Sequence, residues 1–284
     1  MPVIKIHRIG KIVDKNLVWL PLLVLMAWTI LPLLWSLSAS FKQPLELYKL
    51  PQSLIPKNFN FDNYIKVFTY PGFWRYFVNS IILALSSTVL ALFISIFAAY
   101  GFARYAFRFR HILLLVMLIP RIVPRVSMIV PLYQLVASLG LLDSYIALLI
   151  TYTATAIPLA TWILTGFISG VPKELEEAAA IDGANLWQRI RLIVMPIALP
   201  GILTVIVLSL RESWNEFPFV LAFTTSSEMR TLPYQLYMLR DSMGILDWPM
   251  VNAFTIVTIL PILFIYLMFE KNVVSGIVAG AMKS

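Results

Sequence analysis

Cysteine is absent from the 284 residues, which excludes disulfides and thiolate metal sites and leaves no mark of a redox compartment. Histidine is nearly absent too. His7 and His111 lie far apart in basic flanks, so an imidazole metal centre or a histidine-activated nucleophile is not expected. Charge is scarce: Asp, Glu, Lys and Arg make up 13% of the chain, against about 25% in soluble domains. Also missing is the Gly-x4-Gly-Lys-Ser/Thr loop whose backbone N–H groups and lysine cradle phosphates; Lys283-Ser284 has no such glycines before it. No catalytic residue, metal or resident cofactor is therefore expected on this chain, and any ATP with its Mg would be hydrolysed on a partner subunit. No internal repeat or low-complexity tract is visible.

What is abundant is apolar surface. Hydrophobic residues form 60% of the chain and the mean hydropathy is +0.84. These values predict an all-α polytopic membrane protein. Apolar runs long enough to cross a bilayer, about 20 residues each, lie at Leu17–Ala39, Phe77–Phe102, Ile112–Ala137, Tyr145–Ile168, Ile197–Phe223 and Met250–Phe269. The organisation expected is an N-terminal segment 1–16, a six-span domain 17–270 with a polar loop at 169–196, and a tail 271–284. The first run is too long for a cleaved signal peptide and lacks a small-residue cleavage site. Prolines 32, 120, 124, 131, 158, 218 and 261 fall inside the runs and predict kinked or broken spans.

A net charge of +8 suggests nucleic acid in a soluble protein; in a membrane protein it reflects basic cytoplasmic loops and anionic lipid. Lys5, Arg8, Lys11 and Lys15 precede the first run, Arg104, Arg108 and Arg110 follow the second, and Lys173, Arg189 and Arg191 sit in the polar loop. With Lys271 and Lys283 in the tail, six spans put all four segments on one side. Both termini are thus expected in the cytoplasm of a multi-pass protein of the cytoplasmic membrane. Lys42, Lys49, Lys57, Lys66 and Arg75 on the opposite side run against this pattern, in a segment long enough to carry less weight.

The polar loop reads KELEEAAAIDGANLWQRIRLIVMPIALP from Lys173 to Pro200. Pro172 suits a helix start, Glu174, Glu176 and Glu177 complement the positive end of the dipole, and Ala178–Ala180 add helix propensity without bulk. Gly183 can adopt a left-handed conformation and end that helix, and Asn185 can cap the next. A short helix, a sharp turn and a second helix are predicted, with a small-residue face open to a close-packed partner.

Glu177-Ala178-Ala179, Asp182, Gly183, Ile193 and Pro196 together resemble the EAA loop of the membrane subunits of ATP-binding-cassette importers, with Met195 where that pattern has Leu. The ending Phe269–Ser284, with Gly276, Gly280 and Lys283, is similar to the tail of carbohydrate-type importer subunits, which reaches the ATPases; the two glycines alone would equally suit a small-residue helix contact. Val130–Leu135, Leu139–Asp143 and Trp214-Asn215-Glu216-Phe217 also resemble the second permease subunit of maltose-type transporters. The resemblance implies a heterodimer with a second, homologous permease, two ATPase subunits that meet the EAA loop, an extracytoplasmic substrate-binding protein and a saccharide substrate, neutral or acidic. An ion-gradient-driven secondary transporter is the alternative, and an EAA loop has no role in one. An integral membrane enzyme would need catalytic groups that are missing.

Charges inside the runs need partners, since each costs about 2.5–3.5 kcal/mol at the bilayer centre. Arg121 and Arg125 lie in the third run; Arg211, Glu212 and Glu216 lie in the fifth. They are expected either to join the two spans as ion pairs or to line a polar substrate path. The path set comprises Arg121, Arg125, Tyr133, Arg211, Trp214, Asn215 and Glu216, and Trp162 is a further aromatic that could stack on a sugar. Arg211, beside Glu212, is expected to be structural, and Arg125, near two prolines, to face the path.

Overall fold

The computed structural model describes residues 15–242 and 247–281, with side chains from 19 to 239 and 247 to 270. Helix is the sole extended secondary structure among the described residues. In chain order it comprises α1 (Lys15–Ser40), α2 (Pro44–Leu47), α3 (Asp62–Phe68), α4 (Phe73–Arg104), α5 (Arg110–Ile122), α6 (Arg125–Ser138), α7 (Tyr145–Ser169) and α8 (Lys173–Ile181). Then come α9 (Leu186–Arg189), a π-turn at Ile190–Val194, α10 (Met195–Ile197), α11 (Leu199–Trp214), α12 (Pro218–Phe223), α13 (Leu232–Ser242) and α14 (Trp248–Ala281).

Four helices are long and apolar enough to cross a membrane, and up to six spans result if two bent pairs each count as one. The bends fall where proline chemistry puts them. Val123 precedes Pro124 and adopts an extended conformation (φ −73°, ψ 127°), as the ring of a following proline demands. The chain accordingly turns by 97° between α5 and α6. A second bend, of 82°, separates Leu186–Ile197 from α11 near Pro196 and Pro200. The single fifth run expected over Ile197–Phe223 is therefore not one helix: α11 stops at Trp214 and α12 restarts at Pro218. Glu216 consequently lies beyond the end of α11, not on its face with Glu212.

Two compact units are present, residues 15–67 with 247–256 and residues 68–242 with 257–281. In the first, Phe41 packs against Phe59, Phe61 and Tyr64 at ring separations of 5.6, 5.3 and 5.1 Å. Asn63 ties the segment down by donating to the carbonyls of Ser40 and Lys42 (2.8 and 2.9 Å). Lys42 is buried, with its ammonium over the Trp35 ring and donating to the Ser53 carbonyl. The segment Trp19–Leu34 of α1 exposes its large apolar side chains, an arrangement that water does not tolerate and lipid or another apolar helix does.

The second unit is built on α4, α7 and α11. Ala84, Ala91 and Ala99 of α4, with Ala147, Ala156 and Ala160 of α7, are buried, so the helices approach closely and gain dispersion contacts along their length. Gly201 of α11 belongs to the same packing: a Cβ there would stand 2.4 Å from the Phe167 ring of α7. One buried cluster joins Ile96, Tyr100, Leu164 and Ile168 to Ile190, Val194 and Ile202, seating the π-turn on α4 and α7. Another joins Leu83, Leu148 and Tyr152 to Phe219, Val220 and Phe223 of α12.

Candidate functional site

The polar loop folds as two short helices around a turn. Lys173 begins α8 directly after Pro172, and Gly183 ends it with φ of +87°, a conformation that strains any side-chain-bearing residue. Asn185 then caps α9: its side chain accepts from Gln188 N at 2.9 Å, and Gln188 returns the bond to Asn185 N at 2.8 Å. Two donors otherwise left without partners at the helix start are satisfied by that reciprocal pair. Trp187 stacks on Phe97 of α4 (5.9 Å, 16°), which fixes the second helix to the bundle.

Glu177, Ala178, Asp182 and Gly183 are exposed and Ala179 is half-buried, so this edge of the loop faces outward. Farther along, Ile193 is half-buried in the π-turn and Pro196 is exposed in α10. The residue that anchors α8 internally is not Glu177 but its neighbour. Glu176 Oε1 accepts from Arg104 Nε at 2.6 Å, and Oε2 accepts from the Tyr100 hydroxyl at 2.7 Å. Arg104 also donates to the Val171 carbonyl at 3.0 Å. Both charged side chains are buried, 8% and 6% exposed, which makes this the tightest charge contact of the loop. The sequence signal was available: Arg104 ends the second apolar run, and Glu176 falls three residues after Lys173, on the inward face of the helix. Two adjacent glutamates gave no basis for choosing between them.

The intramembrane charges assemble where the broken helices meet. Arg121 and Arg125 flank the α5–α6 bend, and both reach toward the end of α11. Arg121 Nη1 donates to Glu212 Oε2 (3.1 Å) and to the Thr155 carbonyl (3.2 Å). Arg125 bridges both carboxylates, Nη2 to Glu212 Oε1 and Nη1 to Glu216 Oε2. The other Glu216 oxygen accepts from Phe219 N at 3.2 Å, and Tyr152 donates to the Glu216 carbonyl at 3.3 Å. Arg121, Arg125, Arg211, Glu212 and Asn215, with Leu159 and Leu208, line a cavity of about 380 Å³. Arg211 is exposed and makes no ion pair among the described residues, whereas Arg125, expected to face the path, is both ion-paired and part of the cavity wall.

The expected aromatics do not converge on that cavity. Trp214 is buried, donates from Nε1 to the Thr258 carbonyl at 3.1 Å and meets Phe77 edge-on, so it is a packing residue. Tyr133 and Trp162 are 43% and 44% exposed on α6 and α7, outside the cavity lining. Asn215 does line it, with one side-chain N–H donating to the Arg211 carbonyl at 2.8 Å. In the tail, Gly276 and Gly280 lie on the continuous helix α14, whereas Lys283 and the segment 1–14 are outside the described residues.

On the other side of the bundle, Asp143 latches two loops, accepting from the backbone N–H groups of Thr225 and Ser226 and from the Ser226 hydroxyl, each at 3.0 Å. Those bonds, the Ser226 N–H foremost, hold its carboxyl below the ordinary value of 3.8. The latch was not anticipated. Its only local sign is an aspartate after a Leu-Leu turn, with φ of 56°.

The arrangement is thus a helical membrane scaffold with an outward-facing two-helix loop on one side and a charged cavity at a broken span. The family model for the inner membrane component of binding-protein-dependent transport systems matches residues 91–273, more than half of the chain. This chain belongs to that family. The sulfoquinovosyl glycerol transport system permease protein of Agrobacterium fabrum is 32% identical over 260 residues, covering 92% of this chain and 91% of the relative. The trehalose/maltose transport system permease protein of Thermococcus litoralis is 30% identical, covering 89% of this chain and 91% of the relative. A solved bacterial ABC transporter for import of the acidic polysaccharide alginate has a chain with the same fold, at a TM-score of 0.77 and 20% identity over 95% of this permease and 99% of that chain. Among the described residues of the permease, no cluster of His, Asp or Glu has the arrangement of a metal site.

Proposed function

We propose that this permease is the transmembrane subunit of an ATP-driven saccharide importer and forms half of the translocation pathway. Family membership supports it, as do relatives whose names specify a sulfosugar glycoside and the disaccharides trehalose and maltose. In this reading a second, homologous permease supplies the other half, two ATPases dock on the loop 169–196, and a binding protein delivers the sugar from outside. Both termini lie in the cytoplasm, and the tail through Gly276, Gly280 and Lys283 meets the ATPases. A secondary transporter driven by an ion gradient is not favoured, because the family is binding-protein-dependent.

One observation carries the coupling role: the left-handed turn at Gly183 holds α8 and α9 as a rigid two-helix unit whose Glu177–Gly183 edge is exposed. ATPase closure would move that unit as a lever, and the contacts of Glu176 and Trp187 with α4 would pass the motion to the bundle. Gly183→Pro forbids the positive φ. In the assembled complex it should lower sugar-stimulated ATPase and transport at least tenfold while the chain still inserts. Wild-type values of both would refute the coupling role.

A further inference from the structure

The charges around the cavity do not cancel. Glu212 and Glu216 offer four carboxylate oxygens, and every one already accepts a bond: two on Glu212 from Arg121 and Arg125, two on Glu216 from Arg125 and Phe219 N. Three guanidiniums are thus set against two carboxylates whose oxygens are each already engaged, a surplus of one positive charge. The surplus resides on Arg211, which lines the same cavity, is exposed and has no ion pair among the described residues. Its neighbour Glu212 cannot relieve it, because consecutive residues on a helix point about 100° apart. Next to it, Asn215 donates one side-chain N–H to the Arg211 carbonyl, and its amide oxygen remains as an acceptor for a hydroxyl.

We infer that the cavity receives saccharides bearing a carboxylate, with Arg211 as the residue that binds the anion. The planar guanidinium matches a carboxylate through two parallel N–H···O bonds, and a volume of about 380 Å³ is within the range of small-ligand sites. Arg121 and Arg125 hold α5 and α6 to α11 and so position the wall on which Arg211 stands. The alternative destination for the surplus charge is a carboxylate of the second permease. The inference rests on the saccharide-permease reading and adds the charge of the substrate.

The test uses the complete complex in proteoliposomes, with trigalacturonate and its neutral methyl ester as size-matched probes. The binding protein's affinity for each is measured separately, so that any loss is assigned to the permease. Arg211→Gln should lower uptake of the acid about tenfold, the size of one charge-assisted hydrogen bond, and leave the ester within about twofold; Arg211→Lys should fall between. An equal loss for both probes, or weakened assembly of the two permeases, would place Arg211 in a structural contact and overturn the inference. Wild-type uptake of the ester but not the acid, or of neither, would overturn it too while leaving the saccharide reading intact; no uptake of any member of a panel of neutral and acidic saccharides would sink that reading itself. A second readout is independent of turnover. In this cysteine-free chain, Asn215→Cys should react faster with an anionic than with a cationic thiosulfonate, and Arg211→Gln should abolish the preference. Absence of any preference in the Arg211 background would count against the inference.

Discussion

Glu176 and Glu177 differ by one position and by almost everything else. A rotation of 100° along α8 puts one carboxylate between Arg104 and Tyr100 and the other outside. Removing one member of a buried ion pair leaves an uncompensated charge and typically costs about 3–5 kcal/mol, whereas an exposed substitution stays within about 0.5 kcal/mol. Glu176→Ala should therefore destabilise the permease in reversible detergent unfolding by about 3 kcal/mol, with faster amide exchange across 173–181, while Glu177→Ala leaves both unchanged. If Glu177 serves the ATPase interface instead, its variant loses stimulated ATPase activity at unchanged stability. The two substitutions thus separate anchoring from docking at adjacent positions.

At the scale of elements, breaks rather than lengths decide the geometry. Proline at 124, 200 and 218 interrupts runs that hydropathy alone reads as continuous, and each break frees backbone that must be satisfied within the bundle. The broken third run is what brings Arg121 and Arg125 together onto Glu212, with Arg125 also reaching Glu216. Close packing does the rest. Gly201 lets α11 approach Phe167, and Gly201→Ala forces a contact of 2.4 Å with ring carbons that cannot all swing away. A loss of about 1–3 kcal/mol is expected from such overpacking. The double change Gly201→Ala with Phe167→Leu should recover most of it. Additive losses in a thermal melt of the complex would mean that the two helices are not held by this contact.

For the whole molecule, the proposed six-span topology would place the loop 169–196 and the turn at Asp143 on opposite faces of the membrane. The absence of cysteine makes this directly measurable. A single cysteine at Ala184 should react with an impermeant maleimide only from the cytoplasmic side. One at Ser226, beside the Asp143 latch, should react only from outside. Labelling of both from one face would remove a span, most directly one of the two bent pairs.

Much of this architecture was legible because its causes are local. Apolar runs follow from composition over about 20 residues. The helix–turn–helix of the loop follows from a proline, a glycine and an asparagine acting within one turn of themselves, and the breaks follow from proline's effect on its own and the preceding residue. What the tertiary structure decided is which polar groups meet. Arg104 and Glu176 are 72 residues apart, and Arg121 and Glu212 are 91 apart. No periodicity within either segment encodes those distances. For the same reason Trp214, expected in the path as an aromatic that could stack on a sugar, is a packing residue held by the Thr258 carbonyl and Phe77. Arg211, expected beside Glu212 to be structural, makes no ion pair among the described residues. Sequence neighbours share a helix but not a face, and only the packed bundle assigns each face its partner.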